Sequence, residues 1–243
     1  MSFFSIIFTL FHLVLFGSMF GSTNISALSS YGGNFISYIL IGSIGWGFLW
    51  SIMGATSQSL NSEMMMGTLE SVLLTSTKLY TLMISYAIFG CLFGLATIAI
   101  LMTVGYFMFS ISVFANATIF TLIVFILSTM MMGFGLIFGG LTMWLKNIGE
   151  TILLLQNIAM FFCGVYFPIS VLPSYIKPLA NIMPFYYSIE GLRLSLIPTT
   201  PTYKMVEFIV ILLALSVLFI VIGLITLHLG LIKAKKDGTL AFY

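Results

Sequence analysis

Six apolar stretches, most of them long enough to cross a lipid bilayer, dominate this sequence. Only 6% of the residues are charged, whereas soluble domains carry roughly 25%. Because this small number of charges cannot cover a water-facing surface, most of the surface must face lipid. We therefore predict an all-α polytopic membrane protein with about six spans: Phe3–Phe20, Phe35–Ser57, Leu82–Phe109, Ile119–Leu145, Thr151–Phe167 and Val206–Ile232.

The first apolar stretch resembles a signal peptide in length and composition. It has no Lys or Arg before the apolar run and no clear A-x-A cleavage site. We therefore predict that Phe3–Phe20 is retained as a span. The net charge of +2 gives no indication of a nucleic-acid partner.

The distribution of basic residues predicts the orientation in the membrane, because Lys and Arg favour the cytoplasmic side. With the N-terminus inside, five lysines fall in inner segments: Lys78, Lys146, Lys233, Lys235 and Lys236. The outer segments then hold three basic residues: Lys177, Arg193 and Lys204. This bias, with a lysine cluster directly at a helix end, predicts that both termini are cytoplasmic.

The inner segment 61–76 has the pattern of a short amphipathic helix. Asn61 or Ser62 is a candidate N-cap, and Glu63 in the first turn suits the helix dipole. Glu63 and Glu70 are seven residues apart, so we expect them to share a face. Gly67 either lets another backbone come close or breaks the helix in two. The same segment carries an apolar stripe: Met66, Leu69, Leu73 and Leu74. Such a helix suits either a groove on a partner protein or the membrane interface.

The longest gap, after the fifth stretch, is rich in proline but still apolar. Its prolines exclude one continuous helix: Pro168, Pro173, Pro178 and Pro184. Short apolar pieces between prolines indicate re-entrant or interfacial helices, which we expect at the outer face. Glu190 and Arg193 follow at a spacing of three and can pair, either as a structural ion pair or as a substrate contact.

Two segments carry a resemblance to a known family. The segment Glu63-Met-Met-Met-Gly67-Thr68-Leu69-Glu70-Ser-Val-Leu-Leu74 resembles the cytoplasmic signature of the ABC-2 (type V) transporter permeases. That signature runs Glu, a basic residue, two variable positions, Gly-Thr-Leu-Glu and an apolar pair. Gly164-Val-Tyr-Phe-Pro168, followed by Pro173, Pro184 and Glu190-Gly-Leu-Arg193, resembles the external hairpin of the same family.

The chain departs from the family pattern at three points. Met64 stands at the basic position, and Thr75-Ser76-Thr77 replaces a usual proline. The sequence also begins almost directly in a predicted span, where relatives usually carry an amphipathic helix.

The resemblance implies a single transmembrane permease domain over residues 1–243 with an external re-entrant hairpin between the fifth and sixth spans. It also implies two partners besides the bilayer: a separate ABC ATP-binding subunit, which would hold ATP and Mg²⁺, and a second permease copy or related chain. The implied coupling residues are Glu63, Gly67, Thr68, Leu69 and Glu70. The implied external gate residues are Gly164, Pro168, Pro173, Pro184, Glu190 and Arg193.

The resemblance further implies that the second and fifth spans line the transport path. Trp46 and Trp50, one turn apart on the second, are then candidate lining residues, although packing or interface anchoring also explains them. The implied function is export through the cell membrane, closer to drug and antibiotic exporters than to polysaccharide exporters. Peptide and lipid-linked substrates stay open.

The sequence carries no motif for chemistry of its own. No Lys is followed by Ser or Thr, so there is no Walker A motif, and no H-E-x-x-H is present. We therefore predict no catalytic residue, no metal site and no cofactor in this chain. The alternative to a permease is a membrane-embedded protein without transport, either an immunity or assembly factor or an intramembrane enzyme.

Overall fold

A computed structural model describes residues 11, 15, 28, 35–109, 117–145, 149–196 and 202–237. All regular elements in this part of the chain are helical. Besides a 3₁₀ turn at Ile169–Val171, they are α1 (Phe35–Met65), α2 (Thr68–Leu74), α3 (Leu79–Phe109), α4 (Ala117–Leu145), α5 (Gly149–Phe162), α6 (Lys177–Ile182), α7 (Pro184–Leu196) and α8 (Thr202–Lys236).

Four of these helices are long and apolar enough to cross a membrane: α1, α3, α4 and α8. They correspond to the second, third, fourth and sixth predicted spans, and the prediction of an all-α polytopic membrane protein is confirmed. The first predicted span, Phe3–Phe20, lies outside the described residues apart from two isolated positions. The count of six spans therefore stays a prediction.

The fifth predicted span differs from its prediction in length. Its helix, α5, has 14 residues and ends at Phe162, whereas the prediction ran to Phe167. At a rise of about 1.5 Å per residue, α5 is shorter than the roughly 30 Å hydrocarbon core. The reason for the early end is Gly164, which lies in the left-handed region at φ 74°.

Proline residues set the short elements that follow α5. Pro168 precedes the 3₁₀ turn, Pro178 lies in the first turn of α6, and Pro184 is the first residue of α7. Proline suits the first turn of a helix, where its missing N–H needs no partner. The prediction of short helical pieces in place of one helix is confirmed, and their placement as an external re-entrant hairpin stays a prediction.

The chain divides into two compact units, and the division falls within several long helices. The first unit comprises Met1–Phe48, Leu95–Phe125 and Asn157–Leu212, and the second comprises Leu49–Gly94, Ile126–Gln156 and Leu213–Tyr243. The prediction of a single permease domain stays a prediction.

In the second unit, α4 and α8 pack through glycines on both helices. A Cβ added at Gly223 would lie 2.6 Å from the carbonyl oxygen of Gly133, and one at Gly230 would lie 2.6 Å from that of Gly140. Because the glycines on each helix are seven residues apart, they lie on one face and let the two backbones approach. Apolar side chains beside this contact form a core that includes Leu60, Met64, Leu69, Met83 and Leu227.

In the first unit, α1 packs against α7 and α3. A Cβ at Gly45 would lie 3.3 Å from the side chain of Leu192 on α7, and one at Gly105 of α3 would clash with the side chain of Leu40. Small residues therefore allow the close approach of these helices. This packing brings the start of α1 to the polar residues of α7.

Candidate functional site

The first of two polar clusters joins the end of α1 to α2 and α3. The Glu63 carboxylate accepts a hydrogen bond from the Tyr86 hydroxyl at 3.1 Å and a second, short one from the Thr68 hydroxyl. We call these three residues the Glu63 cluster. Both Glu63 oxygens therefore have a neutral hydroxyl donor, which stabilises the carboxylate without a counter-charge.

Gly67 separates α1 from α2. It adopts φ 69°, and its amide donates to the carbonyl of Met64 at 3.1 Å, which closes the turn. A residue with a side chain would be strained in this left-handed conformation. The chain therefore changes direction at Gly67, and this break positions Thr68 to reach back to Glu63.

This break corrects two sequence-based expectations. Asn61 and Ser62 are not N-caps, because α1 continues through both of them to Met65. The Ser62 hydroxyl instead donates to the carbonyl of Ser59 one turn earlier. Glu63 and Glu70 do not share a face of one helix, since the helix ends between them.

The two sides of α2 differ sharply in burial. Leu69 is fully buried in the core of the second unit, and Leu73 packs against the same core. Leu74 is 82% exposed, and Glu70 is also exposed. Met66, in the turn before α2, is 66% exposed. The predicted apolar stripe is therefore split: two of its residues anchor α2, and two face outward with a carboxylate.

The second polar cluster lies in the first unit around Arg193. The Arg193 guanidinium pairs with Glu190, one turn earlier on α7, at 3.0 Å, and its side chain is only 1% exposed. It also donates to the carbonyls of Gly164 at 3.1 Å and Tyr38 at 3.4 Å. The guanidinium carbon lies 3.6 Å from the centroid of the Tyr38 ring, a stacking geometry that arginine favours. Tyr38, Gly164, Glu190 and Arg193 form the Arg193 cluster.

The backbone of the turn after α5 contributes the carbonyl group that completes the Arg193 cluster. The Gly164 carbonyl accepts a hydrogen bond from the Tyr38 hydroxyl at 2.9 Å in addition to that from Arg193. Gly42, on the next turn of α1, permits this approach, because a Cβ there would clash with the carbonyl oxygen of Val165. The cluster thus ties the start of α1 and the turn after α5 to α7.

Charge in the Arg193 cluster is compensated within the protein. The carbonyls of Gly164 and Tyr38 accept hydrogen bonds from the guanidinium and so offset part of the cost of burying the ion pair. Burial, and then the nearby Glu190 carboxylate, raises the pKa of Tyr186 to about 12, so this phenol remains neutral at physiological pH.

The other predicted residues lie on separate elements. Trp46 contacts Phe185 of α7 edge to face, with ring centroids 5.9 Å apart, and Trp50 is half-buried on α1. Pro173 follows the 3₁₀ turn, and its carbonyl accepts the amide of Ile176 at 2.9 Å. Of the predicted gate residues, the structure therefore brings together Gly164, Glu190 and Arg193.

Sequence reasoning missed two tyrosines that complete the clusters. Tyr38 and Tyr86 lie within predicted spans and had no assigned role. A signal was present, because a tyrosine hydroxyl within an apolar environment usually finds a partner. The pattern cannot identify that partner, since Tyr38 and Gly164 are 126 residues apart in the chain.

Comparison with known proteins identifies the family of this chain. The family model of the ABC-2 type transporter matches residues 1–197, which include both clusters. No curated protein matches the chain. The family match, together with four apolar helices long enough to span a membrane, shows that the chain belongs to the ABC-2 type transporter family and is a membrane subunit of an ABC transporter.

Proposed function

We propose that this chain is the membrane subunit of an ATP-driven exporter and that α2 couples it to a separate ATP-binding subunit. The single observation that carries the proposal is the outward side of α2. Leu74 and the Glu70 carboxylate are exposed there, and Met66 is exposed in the turn before α2, whereas Leu69 fixes the helix to the core. An anchored helix with an exposed amphipathic side fits a groove on a partner protein.

The charge on α2 favours a protein groove over the membrane surface. Helices that lie on anionic membranes are rich in Lys and Arg on their polar face. Within α2 the charged residue is Glu70, which an anionic membrane surface would repel. The three motif residues after Gly67 would therefore act differently: Thr68 and Leu69 would position α2, and Glu70 would contact the partner.

The remaining parts of the proposal are expectations that the resemblance to the family supports. The partner ATPase would bind ATP and Mg²⁺, and a second permease copy or a related chain would complete the transport path. The protein would lie in the cell membrane with both termini in the cytoplasm and export a drug-like, peptide or lipid-linked substrate, with multidrug resistance as one outcome. Trp46 and Trp50 would lie along the path, and the 164–193 segment would form the external gate.

The test is charge reversal at Glu70 with a matched reversal elsewhere. The tagged chain is purified in mild detergent from its native membrane, and vanadate-sensitive ATP hydrolysis is measured on the co-purified complex. We expect the Glu70→Lys chain either to lose the ATPase subunit or to retain it with reduced ATP hydrolysis. Glu207→Lys, which reverses an exposed carboxylate on α8, should retain both.

Two results would contradict the proposal. If no P-loop subunit accompanies the unaltered chain, a non-transport role replaces the exporter. If the P-loop subunit co-purifies with the Glu70→Lys chain and hydrolyses ATP as it does with the unaltered chain, α2 is not the coupling element.

A further inference from the structure

The ends of α4 and α8 bring an aromatic residue and a group of lysines together. Lys233, Lys235 and Lys236 lie in the last turn of α8, and Trp144 is the penultimate residue of α4. The Lys233 ammonium lies 5.1 Å from the centroid of the Trp144 indole ring. A fourth lysine, Lys146, follows α4 directly in the sequence. In the described part of the chain, the end of α8 therefore places three lysines beside the end of α4.

These lysines are available to a ligand. All three on α8 are exposed, and in the described part of the chain none of them forms an ion pair with a carboxylate. Ala234, between them, is buried in the core of the second unit, which fixes the rotation of this helix end. Lys233 and Lys236 are three residues apart and so project from the same flank of α8.

Exposed apolar side chains lie directly beside the charges. Trp144 is 44% exposed, Leu145 is 61% exposed, and Ile232, which precedes Lys233, is 51% exposed. Indole rings and lysine side chains with apolar stems both favour the boundary between lipid tails and headgroups. An acidic protein would meet the charges but would leave this apolar surface without a partner.

We propose that the ends of α4 and α8 form a binding site for an anionic phospholipid. The headgroup phosphate lies between Lys233 and Lys236, and the acyl chains lie against Trp144, Leu145 and Ile232. Basic clusters directly after a transmembrane helix attract anionic lipids, and the Trp144 ring holds Lys233 at the height of the headgroup. The site does not depend on the ATPase partner, so this proposal is tested independently of the proposed function.

The test counts bound lipids on the intact, detergent-purified chain by native mass spectrometry. The probes are phosphatidylglycerol and phosphatidylcholine with identical acyl chains. We expect the unaltered chain to prefer phosphatidylglycerol, and Lys233→Gln with Lys236→Gln to lower this preference roughly fivefold per lysine. Trp144→Leu, which keeps an apolar side chain but removes the ring, should lower it about two- to fivefold.

A double variant, Lys78→Gln with Lys177→Gln, removes the same charge from other segments and should retain the preference. An equal loss of preference in this control would show that overall net charge causes the effect, which would overturn the proposed site. An unchanged preference in the Lys233 and Lys236 variant would overturn it as well. Displacement of the lipid by an equal concentration of inorganic phosphate would assign the site to a free anion. Tighter binding of a polyglutamate peptide than of phosphatidylglycerol would assign it to an acidic protein.

Discussion

The Glu63 cluster and the Arg193 cluster are built from similar parts but differ in burial and charge. Each contains a glutamate and a tyrosine hydroxyl and depends on a glycine in the left-handed region, Gly67 next to the first cluster and Gly164 within the second. Arg193 neutralises Glu190 inside the first unit, where both are buried. Glu63 is half-buried, and the hydrogen-bond donors to its carboxylate, from Thr68 and Tyr86, are neutral.

This difference indicates a division of roles. A buried charge without its partner is costly, so the Arg193 cluster resists any change that separates α1, α7 and the turn at Gly164. A half-buried carboxylate can exchange a hydroxyl for water at little cost, so the Glu63 cluster permits rearrangement of α2. We therefore expect changes in the Arg193 cluster to affect stability and changes around Glu63 to affect the response to a partner.

The largest effect is expected from Arg193→Leu. The substitution leaves the Glu190 carboxylate buried without its counter-charge, which typically costs about 3–5 kcal/mol. The measurement is the thermal unfolding of the detergent-purified chain. Replacing Glu190 by Leu as well should recover part of the loss, because no isolated charge then remains. A loss in the double variant as large as that in the single one would contradict this account.

Alanine at the two left-handed glycines compares the clusters directly. Gly164→Ala and Gly67→Ala should each strain the backbone by roughly 1–2 kcal/mol. The consequences should differ, because Gly164 binds Tyr38 and Arg193 whereas a Cβ at Gly67 meets no atom within 4 Å. We expect Gly164→Ala to lower the unfolding temperature and Gly67→Ala to increase hydrogen exchange mainly in residues 68–77. The reverse pattern would show that the roles are exchanged.

Removal of single tyrosine hydroxyls should have a smaller effect. Tyr86→Phe and Tyr38→Phe each delete one hydrogen bond, worth about 0.5–1.5 kcal/mol. Tyr38→Phe keeps the ring that stacks on Arg193, so the rest of its cluster should remain. Tyr86→Phe should also increase the accessibility of a cysteine introduced at Leu73, which packs against the core, to a polar thiol reagent, and Tyr38→Phe should not. Equal accessibility in both variants would show that Tyr86 does not hold α2.

The smallest effect on stability is expected from Glu70→Gln. Glu70 is exposed, and surface substitutions of this kind usually change stability by less than about 0.5 kcal/mol. Thermal unfolding should therefore match that of the unaltered chain. A clear destabilisation would place Glu70 within the fold and weaken its assignment to a partner surface.

The sequence was sufficient for features that depend on local composition and spacing. Long apolar runs predict spans because unpaired backbone groups are costly in lipid, and α1, α3, α4 and α8 follow those runs. Prolines predict the short elements after α5 because they exclude a continuous helix. The pairing of Glu190 with Arg193 also follows from a spacing of three on one helix.

Tertiary structure decided the features that depend on contacts between distant segments. Whether Glu63 continues α1 or begins a new helix depends on where the chain breaks, and the break at Gly67 lets Thr68 bond to Glu63 while Leu69 enters the core. Tyr38 and Tyr86 acquire partners through packing that brings separate helices together. Hydrophobic patterning places a helix in the membrane, but in an all-apolar helix it does not select which side meets which neighbour, because that choice depends on the shapes of both surfaces.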